Sequence, residues 1–173
     1  MKKNWIKYII AFVSVIVIRL MPFRAPNVEP IMAVIMPFSK VYGKTMAFAF
    51  GFLSIVLYDS LTSGFGVWTL VTAVAYGLLG LFSFYFFKNR SGWKNYAIYS
   101  VVATIVYDAV TGLTIGPLFF NQSFMVSLLG QIPFTIIHLL GNVSFAIVLS
   151  PVIEKWVMKE EKFVSVKNVA FIS

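Results

Sequence analysis

The stretch that most constrains this chain is Gly43 to Gly66, which reads GKTMAFAFGFLSIVLYDSLTSGFG. It is an apolar run of about twenty residues entered through Lys44, and at a rise of 1.5 Å per residue about twenty residues cross a hydrocarbon core of about 30 Å. The run reads as a membrane helix. Near its far end it carries Tyr58-Asp59, then Thr62 and Gly64, and a near copy recurs later as Tyr107-Asp108, Thr111, Gly112 and Gly116. Two similar helix ends therefore each carry a carboxylate.

Composition supports the same reading along the whole chain. Of its 173 residues 60% are hydrophobic and 12% charged, whereas soluble domains are about half apolar and a quarter charged. An integral membrane protein follows, and its net charge of +8 is read by position, because basic residues accumulate on the cytoplasmic side. The absence of cysteine excludes a disulfide framework and thiolate chemistry. Met1 to Leu20 is read as a helix and not as a cleavable signal, since no small-x-small site follows its apolar run.

The fold expected is all-α, with six transmembrane helices over residues 5–20, 28–42, 44–63, 67–87, 95–115 and 133–156. They form one membrane domain over residues 1–158, with both termini cytoplasmic and a cytoplasmic tail at 159–173. Residues 28–42 make the least secure span, because they reach only about 22 Å and include Pro30 and Pro37. Charge argues that they cross. With six crossings, Lys2, Lys3, Lys7, Lys40, Lys44, Lys88, Arg90, Lys94, Lys155, Lys159, Lys162 and Lys167 lie inside and only Arg19 and Arg24 outside, as the positive-inside rule requires. The stretch Ser123 to Trp156 is too long for one crossing, and Pro133 is the expected break. That would leave a short outer piece at Phe124 to Gln131 and a spanning helix from Pro133.

The polar residues then gather on the outer half. Asp59 and Asp108 fall within about one turn of the outer end, where a carboxylate costs less than the roughly 2.5–3.5 kcal/mol of the bilayer centre. Two roles are open to them: helix-end carboxylates bonded to hydroxyls such as Thr62 and Thr111, or acceptors lining an outward pocket. Their repetition behind Tyr favours the pocket. Arg19, Arg24, Asn27, Glu29, Asn121, Gln122 and Gln131 lie on the same side, although Arg19 and Glu29 could simply pair. His138, the only histidine, shares a helix face with Asn142 one turn on. Either it is a buried, hydrogen-bonded core histidine or the two form the floor of the cup.

Several chemistries are disfavoured. One His and no Cys fall short of the three protein ligands of a catalytic zinc, and no GxxxxGK[ST], GxSxG or HExxH is present to support ATP hydrolysis or a familiar hydrolase mechanism. No cofactor, metal or catalytic residue is expected. On the inner half, Gly43, Ala47 and Gly51 make a small-residue face that packs helices closely or docks another membrane subunit.

The order Arg-Leu-Met-Pro-Phe-Arg-Ala-Pro-Asn-Val-Glu-Pro from Arg19 to Pro30, the two Tyr-Asp helix ends, and the run Gln131-Ile-Pro-Phe-Thr-Ile-Ile-His138-Leu-Leu-Gly-Asn142 followed by Pro151 resemble a substrate-binding S component of the energy-coupling factor (ECF) vitamin transporters. The resemblance extends from Arg19 to Trp156. It implies a non-enzymatic six-helix subunit in a prokaryotic plasma membrane that binds a vitamin or related micronutrient near the outer face, under the first loop. It also implies a transmembrane coupling subunit and two cytoplasmic ATPase subunits as partners. The Ala-x-x-x-Ala docking surface frequent on the family's first helix is represented here only by Ala11 with Ser14 and Val15, so the face at Gly43, Ala47 and Gly51 is a substitute candidate. By depth and side, Arg19, Arg24, Asn27, Glu29, Asp59, Asp108, Asn121, His138 and Asn142 are the expected substrate-binding residues. Two other classes share this map. One is a stand-alone transporter coupling protons through Asp59 or Asp108; the other is a membrane scaffold that needs no pocket.

Overall fold

The structure is a computed structural model that describes residues 4–23 and 29–170, without the side chains of 159–170. Among the described residues it holds six helices and no strand: α1 (Trp5–Leu20), α2 (Ile31–Tyr42), α3 (Lys44–Leu61), α4 (Val67–Phe87), α5 (Trp93–Phe119) and α6 (Phe124–Ala170). Lys44–Leu61, Val67–Phe87, Trp93–Phe119 and Phe124–Met158 are long and apolar enough to cross a membrane. Their outward faces carry large exposed apolar side chains, among them Leu70, Phe82, Val102, Leu129, Leu140 and Val148. A water-soluble surface does not carry apolar area on that scale.

The centre of the bundle is α2. Its 12 residues reach about 18 Å, too little to span a bilayer alone, so the expected span at 28–42 is replaced by a shorter helix starting at Ile31. All of its residues except Lys40 and Val41 are buried, as a helix apolar on every side requires. It packs on the other five helices, and protein therefore satisfies the surroundings that lipid would otherwise have to. Gly43 alone joins it to α3, at φ +84°, a conformation that favours glycine.

Helices α3 and α4 form one tightly packed antiparallel pair and α5 and α6 another, while α1 lies at the edge against α2 and α3. Close approach in the first pair comes from small residues. A Cβ on Gly51 would lie 2.5 Å from the Tyr76 carbonyl oxygen, and one on Gly80 would run into the Ala47 carbonyl. Ala47 and Gly51 are thus used up inside the chain, and Ala11 is buried in the core. Of the two roles open to the face of Gly43, Ala47 and Gly51, Ala47 and Gly51 take the internal-packing one, while Ala11 is buried and Gly43 forms the junction between α2 and α3.

The expected break at Pro133 does not occur either, for α6 runs through Pro133 and Pro151 and its backbone continues into the expected tail. Pro133 sits on an exposed face, where a proline can be accommodated by local adjustment of the freed backbone groups. The residues on both sides of it pack on α5 in one register. Gln131 lies against Gly112, His138 against Asp108 and Asn142 against Thr104, so a break would sacrifice half of that seam. In the same way α5 continues to Phe119, past the expected end of its span at residue 115.

One end of the bundle is basic. Lys40 pairs with Glu154, Ser91 Oγ donates to Glu154 at 3.1 Å, and Lys7 Nζ donates to the Trp156 carbonyl at 2.7 Å. The opposite end carries Arg19, Glu29, Asp59, Asp108 and a cavity.

Candidate ligand cavity

The residues expected to form one cup separate into distinct arrangements. On the α1–α2–α3 side, Arg19 donates to Glu29 Oε1 and to the Ser54 carbonyl, both at 3.0 Å, and its guanidinium lies 3.9 Å from the centre of the Tyr58 ring. This combination of ion pair and cation–π contact suits an arginine's planar head. Between α3 and α4, Asp59 accepts from the Thr69 hydroxyl at 2.6 Å. Thr62 and Thr111, the hydroxyls expected to bond the two Asp residues, donate instead to the carbonyls of Tyr58 and Tyr107 one turn back.

Between α5 and α6, His138 Nδ1 lies 2.7 Å from Asp108 Oδ1, and Asn142 Nδ2 donates to Thr104 Oγ1 at 2.9 Å. All four residues are buried. Thr104 and Asp108 are one helical turn apart on α5, as are His138 and Asn142 on α6, so the two bonds form successive rungs across the pair. Asn121 sits exposed in the α5–α6 turn at φ +52°, a conformation asparagine tolerates. Arg24 and Asn27 lie outside the described residues.

Above these rungs opens a cavity of about 710 Å³ between α4, α5 and α6, within the roughly 300–1,000 Å³ typical of small-molecule sites. Its polar lining is Thr72, Tyr107, Thr111, Gln122 and Gln131, and its apolar lining includes Ile115, Phe120 and Phe134. Among the described residues no charged side chain lines it. Gly112 and Gly116 complete the α5 wall, because a Cβ on either would collide with the amide of Gln131 or Gln122 respectively. The amides thus lie directly on helix backbone. Near the mouth, Trp68 stacks on Phe120 with ring centres 6.5 Å apart.

Of the nine expected substrate-binding residues, the seven that are described, Arg19, Glu29, Asp59, Asp108, Asn121, His138 and Asn142, do not line this cavity. Asp108 and His138 stand directly behind it: the His138 ring meets those of Tyr107 and Phe134 edge-on, each with centres 5.8 Å apart. Tyr107 in turn packs on Tyr76 at 4.5 Å. Gln122 and Gln131, expected on the same side as the Tyr-Asp helix ends, line the cavity together with Thr111, Gly112 and Gly116 of the repeated motif, whereas Thr72 and Phe134 were not among the expected polar set. Phe134 was findable, since Gln131, Phe134 and His138 recur at the three- and four-residue spacing of one helix face. Thr72 carried no comparable signal.

A family model described as "ECF-type riboflavin transporter, S component" matches residues 8–98, just over half of the chain. No curated protein and no solved structure matches it. The matched segment covers α1 to α4 and the start of α5, and so includes Thr72 but no other residue of the cavity lining named above.

Proposed function

The chain belongs to the family of ECF-type riboflavin transporter S components, a multi-pass membrane transporter component and not an enzyme, and from that premise we propose that its cavity captures riboflavin or a closely related neutral flavin. The observation that carries this reading is the character of the lining. Aromatic rings at Tyr107, Phe120 and Phe134 offer faces and edges to a flat tricyclic ring. The amides of Gln122 and Gln131 offer both donors and acceptors to the imide edge of such a ring, and the hydroxyls of Thr72 and Thr111 suit a polyol chain. An uncharged lining suits an uncharged ligand.

The bundle sits in a prokaryotic plasma membrane with the basic end inside, as the distribution of Lys and Arg favours. Both termini are then cytoplasmic and the cavity faces outward. All six helices contribute to the crossing, with α2 sheltered by its neighbours. Capture uses hydrogen bonds, stacking and shape, with no covalent step. Energy for import comes from a transmembrane coupling subunit and two cytoplasmic ATPases, since no phosphate-binding loop occurs in the sequence.

The test is a mild-detergent pull-down of the tagged chain from its native membrane, with mass spectrometry of retained proteins and small molecules and a riboflavin titration of the purified chain. Co-purifying coupling and ATPase subunits together with saturable flavin binding support the reading. A chain that isolates alone, binds no flavin and drives pH-dependent uptake by itself overturns it in favour of a stand-alone proton-coupled carrier.

A further inference from the structure

The buried Asp108–His138 pair has no direct place in the cavity, yet its imidazole touches two of the cavity's three aromatic side chains, Tyr107 and Phe134. We propose that Asp108 and His138 are positioning residues that set Tyr107 and Phe134 as a slot for a flat ring, an inference that rests on the flavin reading of the cavity. His138 is 3% exposed and Asp108 1%, so neither reaches a ligand. The imidazole is anchored at one edge by the 2.7 Å bond to Asp108, and it meets Tyr107 and Phe134 at interplanar angles of 76° and 77°. One wall belongs to α5 and the other to α6, and His138 stands against both. Tyr76 backs Tyr107 from α4. Where His138 sits therefore decides where both rings sit.

Packing alone does not explain the choice of residues. Replacing a buried ionisable pair by apolar side chains of similar volume is often neutral or stabilising, so two leucines could close this seam. A hydrogen bond between fixed groups instead gives the imidazole a single orientation, and with it gives the walls a single spacing. Neighbouring rungs hold the register, with Gln131 against Gly112 one turn above Asp108 on α5 and Asn142 bonded to Thr104 one turn below.

The experiment uses the full chain in detergent, with riboflavin and the bare tricyclic ring as probes and flavin fluorescence as the readout. Asp108→Leu and His138→Leu are expected to weaken both probes about tenfold, in line with the loss of one or two aromatic contacts. Bound flavin in these variants should also be less quenched. Asp108→Asn keeps a hydrogen-bonding partner of the same shape and should restore affinity to within about threefold of the original chain. Should a leucine variant fail to fold, Tyr107→Leu and Phe134→Leu supply the second readout. His138 is the only histidine, so its ring resonances are assigned without ambiguity and should move in Tyr107→Leu and in Phe134→Leu, and again on adding riboflavin. Unchanged affinity and quenching in folded variants, or a histidine resonance indifferent to both wall substitutions, overturns the positioning role and leaves the flavin reading standing. Absence of flavin binding by the unmodified chain overturns both.

Discussion

The hydroxyl of Thr69, in the first turn of α4, donates to Asp59 Oδ2 at 2.6 Å and at the same time accepts from the backbone N–H of Gly66 at 3.2 Å. One side chain thus satisfies the buried carboxylate of α3 and caps the start of the next helix. The second Tyr-Asp end solves the same problem differently, with Asp108 meeting His138 deep inside α6. In both cases the carboxylate is met by the helix that follows in the chain, but only Asp108 stands behind the cavity.

Thr69→Val removes the donor and leaves Asp59, 8% exposed, short of a partner. The expected cost is about 1–3 kcal/mol of stability, read as a lower melting temperature in detergent, with riboflavin affinity unchanged because Asp59 does not line the cavity. A melting temperature equal to that of the unmodified chain would show that the bond carries no stability.

Gly112→Ala places a methyl group where the Gln131 amide now lies. The amide is the far end of a flexible side chain, so it swings away at small cost in stability. Flavin affinity is expected to fall about tenfold, as for loss of a well-placed hydrogen bond to a buried ligand. Gly116→Ala should do the same through Gln122. Retained affinity in both variants would place the ligand elsewhere.

Gly51→Ala and Gly80→Ala meet rigid obstacles, the backbone carbonyls of Tyr76 and Ala47. Here α3 and α4 have to separate, and overpacking of this kind costs about 1–3 kcal/mol. The double variant should melt lower than either single one, and a loss of stability without selective change in flavin chemistry would mark the seam as structural. Wild-type melting of both single variants would contradict the tight packing described here.

With no cation among the described lining residues, a ligand carrying a phosphate finds no countercharge in the lining, and transfer of an uncompensated charge is costly. Riboflavin is expected to bind at least about tenfold more tightly than its 5′-phosphate, a difference of about 1.4 kcal/mol. Competition titrations on the purified chain measure the ratio directly. Equal affinities would require a cation at the mouth.

Much of the architecture is legible in the residues alone. The apolar runs specify helices, the concentration of Lys and Arg specifies one basic end, and the repeated Tyr-Asp motif specifies the helix ends that carry carboxylates, because periodicity and charge act locally. The site is less legible. Charged residues drew attention as ligand contacts, yet Arg19 is occupied by Glu29, Ser54 and Tyr58, and Asp59 by Thr69. In a bundle surrounded by lipid the strongest polar groups seek each other first, which leaves amides, hydroxyls and aromatic rings to line the cavity.

Sequence by itself therefore determined an all-helical membrane protein, its charge asymmetry and the helix faces that carry polar side chains, since each follows from the spacing and chemistry of near neighbours. Tertiary structure alone decided that α2 is the sheltered centre, that α6 passes unbroken through Pro133, and what Gly51, Gly80, Gly112 and Gly116 each lie against. These depend on which helix lies across from which, and that pairing is made between residues far apart in the chain.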